Sequence, residues 1–275
     1  MDGKDIKARV TIIDLSCRME VVKEKLEKIA ENTKPKYSFL LTLTGNDSRL
    51  ERTFEPEISI TTGCRYEIAF TSLETYYSIP NIDPSNNSLQ ISMSGKSWVT
   101  LTLEKGCYGL MDLNKEVGRL LKEKGMEGAV KFKANYNTFK CLMNIRAGYA
   151  VKFTERGSLR TVLGFDAKIY KTTKQTAKRY ESEKTVQILT VNSILVHCDL
   201  VGSSYLDGKI APIIHSFFPL ADPGDKIVER PVQYIYLPIA SDVIRHMTVW
   251  LTDQDQRQLD LRGESLTIKF HLRSC

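Results

Sequence analysis

Two short runs decide the fold: Met247-Thr248-Val249-Trp250-Leu251-Thr252 and, after a polar loop from Asp253 to Glu264, Leu266-Thr267-Ile268-Lys269-Phe270-His271-Leu272-Arg273. Met247, Val249 and Leu251 alternate with Thr248, Trp250 and Thr252; Leu266, Ile268, Phe270 and Leu272 alternate with Thr267, Lys269, His271 and Arg273. Period-two alternation gives a strand one apolar and one polar face. Four apolar side chains do not by themselves offset the conformational entropy lost when such a strand is ordered. The last strand is therefore expected to close a larger sheet packed on another, in an all-β sandwich or barrel whose integrity depends on this segment.

Working outward, the chain from residue 51 reads as β segments separated by turn chemistry. They are Phe54 to Thr61, Tyr66 to Leu73, Trp98 to Leu103, Ala129 to Asn135, Phe139 to Ile145, Tyr149 to Thr154, Val186 to Cys198, Lys209 to Phe218, Lys226 to Leu237 and the final pair. That spacing favours a sandwich over βαβ units. One helix interrupts it, with Asp112 as N-cap, Leu113, Val117, Leu120 and Leu121 as its apolar stripe, and Gly125 as its end. A helical turn around Ser158 to Phe165 is a second candidate. The segment from Asp166 to Lys184 reads as a long basic loop, either functional or a solvated excursion.

The first fifty residues differ. A short β-like run at Arg9 to Leu15 precedes an amphipathic helix over Met19 to Asn32, and a tether follows that carries a strand from Tyr37 to Leu43. Residues 1–50 are read as an arm and 51–275 as the β domain. The arm docks either on a neighbouring subunit or on its own domain.

The 275 residues, 42% of them hydrophobic, suffice for a sizeable core, and the net charge of +6, from 39 basic and 33 acidic residues interspersed, does not demand a dedicated nucleic-acid binder. Six scattered cysteines without a CxxC, and an N-terminus without a secretory apolar region, fit free thiols in a reducing compartment. No apolar run approaches the roughly eighteen residues of a membrane-spanning helix.

The chain offers little for catalysis. Among its four histidines, His197 adjoins Cys198, but neighbours on a strand face opposite sides and do not form a nucleophile–base pair. A remote pairing of Cys198 with His215 stays open. Phosphate-cradling glycine motifs are absent. The run Thr252-Asp253-Gln254-Asp255-Gln256 lacks the glycine and the closing glutamate of a calcium loop, so no catalytic residue, metal or cofactor is assigned. Asp260, Arg262 and Glu264 can form a local ion pair near the closing strand, and with Trp250 they are the candidate subunit contacts. A β-sandwich module that binds carbohydrate or a receptor through exposed aromatics such as Trp250 and Tyr205 is the alternative function.

Five blocks together carry a resemblance: Leu73-Glu74-Thr75-Tyr76-Tyr77-Ser78-Ile79-Pro80-Asn81-Ile82-Asp83, Ser158-Leu159-Arg160-Thr161-Val162-Leu163-Gly164-Phe165, Tyr234-Ile235-Tyr236-Leu237-Pro238, Trp250-Leu251-Thr252-Asp253-Gln254-Asp255, and Leu261 through Arg273. Their order resembles the capsid-type proteins of Polinton (Maverick) elements and of adintovirus-like integrated viruses. The resemblance implies a virion structural protein without enzymatic activity: a single jelly roll of the penton (minor capsid) type, since a double jelly-roll major capsid protein needs about twice this length. It implies a homopentamer at five-fold vertices, a major capsid protein as partner, synthesis in host cytoplasm with assembly in the nucleus, and packaged nucleic acid as what the basic segment 166–184 would meet.

Overall fold

The structure is a computed structural model that describes residues 19, 20, 22, 23, 25, 37–59, 65–188, 191–239, 241 and 243–274. Of the helix expected over Met19 to Asn32, the described residues Met19, Glu20, Val22, Lys23 and Lys25 are helical and exposed. The strand expected from Arg9 to Leu15 lies outside the described residues.

Three strands open the described fold: β1 (Ser38–Gly45), β2 (Arg49–Ser59) and β3 (Tyr66–Tyr76). A second group follows: β4 (Ser88–Met93), β5 (Val99–Thr102), β6 (Val130–Asn135), β7 (Lys140–Ile145), β8 (Tyr149–Lys152), β9 (Ile169–Lys171) and β10 (Lys178–Thr185), with helices α1 (Leu110–Glu123) and α2 (Arg160–Leu163) among them. The chain then returns with β11 (Ile194–Cys198), β12 (Ser204–Leu206), β13 (Lys209–Ala211), β14 (Ile213–Phe217), β15 (Lys226–Glu229), β16 (Leu237–Pro238), β17 (Val243–Thr252) and β18 (Leu266–Ser274).

The first and third groups form one sandwich. Its sheets run β1-β18-β3-β15, with β16 also on β3, and β14-β11-β17-β2. Leaving aside the small β12–β13 hairpin and β16, eight strands remain; all their pairings are antiparallel, and four of them are nested. The first pairs with the eighth (β1·β18), the second with the seventh (β2·β17), the third with the sixth (β3·β15) and the fourth with the fifth (β11·β14). Nested pairing of this kind is one long antiparallel hairpin rolled up on itself, and the rolled-up hairpin is a jelly roll. The lateral pairings β18·β3 and β11·β17 close the roll.

β18 behaves as its alternation requires: Leu266, Ile268, Phe270 and Leu272 have no exposed surface, while Lys269 faces solvent. β1 and β3 flank β18, so the closing strand is the second member of its sheet. The strand assigned by sequence to the N-terminal arm is thus part of the sandwich, because β1 pairs with β18 from Ser38↔Arg273 to Gly45↔Leu266.

The middle group is a separate unit inserted between the third and fourth sandwich strands, which the reading of residues 51–275 as a single domain did not anticipate. It has two sheets, β5-β4-β8-β9 and β10-β7-β6, and its own core built around Leu89, Ile91, Phe132, Met143, Val151 and Phe153. The sandwich core, with Leu43, Ile68, Leu73, Val196, Val249 and Phe270, is a distinct cluster. α1 seats Leu113, Val117 and Leu121 on the inserted core. Its N-cap is Gly109; Asp112 lies three residues later and accepts the Gly109 N–H at 3.3 Å. At the other end Gly125 takes φ +68° and donates to the Lys122 carbonyl, the left-handed stop that glycine adopts without strain.

The basic segment 166–184 is mostly strand. β9 pairs with β8, and β10 pairs with β7. The strand expected over Val186 to Cys198 is confined to β11, and the one over Lys226 to Leu237 to β15 and the first residue of β16. No helix among the described residues is long and apolar enough to cross a membrane.

Candidate subunit-contact surfaces

Trp250 stands on the outer face of the β14-β11-β17-β2 sheet, because Met247, Val249 and Leu251 occupy the inner face. β11 sets His197 directly opposite, and the two rings stack with centroids 5.0 Å apart and 6° between planes. On the other flank β2 sets Arg49 opposite, its guanidinium 5.6 Å from the indole centre and paired with Glu51 at 2.8 Å. His197 Nε2 is hydrogen-bonded to Thr252 Oγ1 at 2.9 Å, Nδ1 has no partner, and burial lowers the imidazole pKa.

Cys198 faces the opposite way, into the sandwich core, where burial pushes its thiol up to about 12. The remote base is engaged elsewhere: His215 Nε2 is bonded to Glu229 at 2.9 Å, and its ring stacks on Phe70 at 4.4 Å. A buried neutral thiol whose candidate base is already paired is not an activated nucleophile.

The loop between β17 and β18 is organised by Asp253, which is 5% exposed. Its Oδ1 accepts the N–H groups of Asp255 and Arg257, both at 2.9 Å, and its Oδ2 accepts Arg257 Nε at 2.8 Å. These protein donors occupy the carboxylate, and no group of three or more metal-ligating side chains occurs among the described residues. Farther on, Ser78 Oγ donates to the Leu261 carbonyl at 2.6 Å.

The local ion pair expected between Asp260 and Arg262 takes a different form. Asp260 is paired with Lys105 of the inserted unit, and that hydrogen bond holds its carboxyl below the usual range. Arg262 contributes its backbone N–H, which donates to Asp260 Oδ1 at 2.8 Å, and its φ is +54°. Glu264 is exposed, with no side-chain partner among the described residues. Trp250 and Asp260 are therefore held within the chain, and the Asp260 contact ties the sandwich to the insertion. A cleft of about 660 Å³ lies at that junction, lined by Asn81, Asp83, Lys105, Gln187, Asp255 and Asp260, among others.

Of the larger exposed apolar side chains on the sandwich, sequence reasoning singled out Tyr205, which is 69% exposed on β12; it did not find the two groups at the edges of the other sheet. The β1-β18-β3-β15 sheet has two opposite edges. At one, Tyr37, Phe39 and Leu40 are exposed on and beside β1, Leu40 by 79%. At the other, Val228 of β15 is exposed, with Phe218 and Leu220 before it and Val232, Tyr234 and Ile235 after it. Tyr236 pins this second group. Its hydroxyl is hydrogen-bonded to His271 Nδ1 at 2.7 Å, and the Arg273 guanidinium lies 3.4 Å from its ring centre. The expectation of one strand from Lys226 to Leu237 hid this group, because β15 ends at Glu229 and Val232, Tyr234 and Ile235 lie outside any strand.

No protein-family model matches the chain, and no curated protein matches it. Among solved structures, the chain is similar to the crystal structure of the selenomethionine-labelled mavirus penton protein, with 12% identity, 87% of this chain and 100% of that chain covered, and a TM-score of 0.48. The jelly-roll order of the present chain follows from its own strand pairing.

Proposed function

We propose that the chain is a penton-type minor capsid protein of a Polinton-like virus or element, closing into a homopentamer at five-fold vertices beside a double jelly-roll major capsid protein. The observation that carries this reading is the pair of dissimilar apolar groups at opposite edges of one sheet, around Leu40 and around Ile235. Two unlike patches about 14 Å apart across four strands suit head-to-tail contacts, and head-to-tail contacts that rotate shut make rings. The jelly roll and the five sequence blocks support the same reading. The N-terminal helix, exposing Met19 and Val22, would dock on a neighbouring subunit, and exposed Glu264 and half-buried Trp250 would lie at contacts. Synthesis would take place in host cytoplasm and assembly in the nucleus, ending in the virion. A glycan-binding role keeps Tyr205, which is exposed on β12, but has less support at Trp250, because strands on either side of β17 bring His197 and Arg49 against that ring, leaving little ring face for a sugar.

Light scattering and negative-stain imaging of the purified chain test this. Five-fold rings are expected, alone or with the major capsid protein, and a monomer at high concentration in both settings overturns the proposal. Leu40→Asp and Ile235→Asp should each abolish rings, while their mixture should form a one-to-one dimer through the edge that each keeps. Dimers of Ile235→Asp alone would mean a two-fold contact and would refute the ring.

A further inference from the structure

The net charge of +6 conceals a division along the fold. Nineteen of the 39 basic residues but only ten of the 33 acidic ones lie between Ile82 and Ile188, so the inserted unit carries +9. Residues 37–81 and 189–275 carry eleven basic and sixteen acidic residues, a net of −5. A domain-sized concentration of one sign marks the face that meets the opposite charge.

Within the inserted unit the charge gathers at a groove of about 840 Å³ between α1 and β6, where Lys115 and Lys122 on the helix face Lys131 and Lys133 on the strand. None of these four lysines has an ion-pair partner among the described residues, whereas Arg119 in the same groove is neutralised by Glu116, at 2.6 Å, and by Glu123. The groove also holds Asp112 and Glu127; Asp112 accepts the Gly109 N–H. The groove keeps a positive excess after both carboxylates are counted.

Two observations narrow the partner. Asn114 Oδ1 accepts the Phe132 N–H at 2.7 Å, and its Nδ2 donates to the Phe132 carbonyl, so the edge of β6 is blocked where an added peptide strand would pair. β6 leads straight out of the groove into a turn where Tyr136 is 85% and Phe139 73% exposed. Unstacked bases have π-faces to lay on such rings; an acidic peptide or a sulfated polysaccharide does not need them.

We propose that the inserted unit binds single-stranded nucleic acid along the α1–β6 groove, with Lys115, Lys122, Lys131 and Lys133 on phosphates and Tyr136 and Phe139 stacked on bases. This goes beyond the capsid reading and does not depend on it. It places the nucleic-acid contact in the groove and not on the basic segment 166–184, where Lys168 is already paired with Glu183.

Fluorescence anisotropy with the full chain and a labelled twenty-nucleotide oligo-dT tests it. Four phosphate contacts give a log–log salt slope of roughly −2.8 and a loss of affinity of about 50-fold between 50 and 200 mM salt. The double variant Lys131→Ser/Lys133→Ser should reduce the slope by about 1.4. Tyr136→Ala and Phe139→Ala should each weaken binding by about fivefold or more and leave the slope unchanged. Lys171→Ser/Lys174→Ser should change neither. All these side chains are exposed, and an unaltered melting temperature confirms that each variant is folded. The proposal is overturned by no oligo-dT binding at 50 mM salt, by heparin binding in its place, by a lysine variant with the original slope, or by indifference to both rings.

Discussion

The two hydrophobic clusters are expected to melt as two units, and a pair of core substitutions measures this. Phe153 is fully buried in the inserted core, stacked on Phe165 at 5.3 Å and edge-on to Tyr170 at 5.8 Å. Phe270 is fully buried in the sandwich, edge-on to Phe70 at 6.2 Å. Truncating a buried phenylalanine to alanine removes its transfer free energy and leaves a cavity, together about 3–5 kcal/mol. The inserted unit, about 107 residues, has an unfolding entropy of about 0.22 kcal/mol/K at roughly 2.1 cal/mol/K per residue, so Phe153→Ala should lower its midpoint by about 13–22 °C. For the sandwich, roughly 130 residues, the same arithmetic gives about 11–18 °C for Phe270→Ala. Differential scanning calorimetry of the wild type and both variants should show each substitution moving one transition and leaving the other within a few degrees. A single transition in all three proteins, or equal shifts of both, would show that the insertion and the jelly roll unfold as one unit and would refute the division into two cores.

Acidification should destabilise the protein from near neutrality. Burial lowers the pKa of both His197 and His271, with Arg273 adding to the effect at His271. Unfolded histidine takes up its proton near pH 6.5 while the folded rings resist it, so their stability contribution is present above that pH and is lost as pH falls through the folded values. The melting temperature should therefore drop between pH 7.5 and 5.0, and drop less in His197→Gln; a rise would contradict the assignment. Gly164→Ala should destabilise the inserted unit by more than about 1 kcal/mol in urea unfolding, because φ is +77° and an added Cβ would lie 2.3 Å from the Lys184 carbonyl oxygen. Wild-type stability in that variant would mean the α2–β10 contact is loose. Cys141 and Cys198, both pushed up to about 12 by burial, should stay unmodified by a thiol reagent at pH 8 in the native protein and react once guanidinium unfolds it.

The alternation of Leu266 to Leu272 was sufficient to identify a buried closing strand, because period two specifies faces. It does not specify which sheet a strand joins, so alternation alone does not mark the insertion. Val130 and Phe132 alternate with lysines just as the sandwich strands alternate with threonines and charges. The apolar run from Val186 to Cys198 crosses the boundary, with Val186 and Ile188 packing on the inserted core and Val191 and Ile194 belonging to the sandwich. β10 carries no strand signal in the sequence because only Tyr180 and Ser182 turn inward, and Ser182 is held by a hydrogen bond from the Cys141 N–H at 3.0 Å that leaves no apolar trace. At the candidate contacts the opposite faces of His197 and Cys198 followed from strand geometry, whereas the partners of Trp250 and Asp260 lie 53 and 155 residues away at His197 and Lys105 and only the fold could supply them. Charge was the signal available for the boundary itself. Averaged over 275 residues it is a modest +6, but divided at Ile82 and Ile188 it separates +9 from −3 for the remainder of the chain. A jelly roll whose core is built elsewhere in the sequence leaves an insertion at its third connection free of packing duties toward the sandwich, and such a unit can accumulate like charge on its surface without repelling the strands it interrupts.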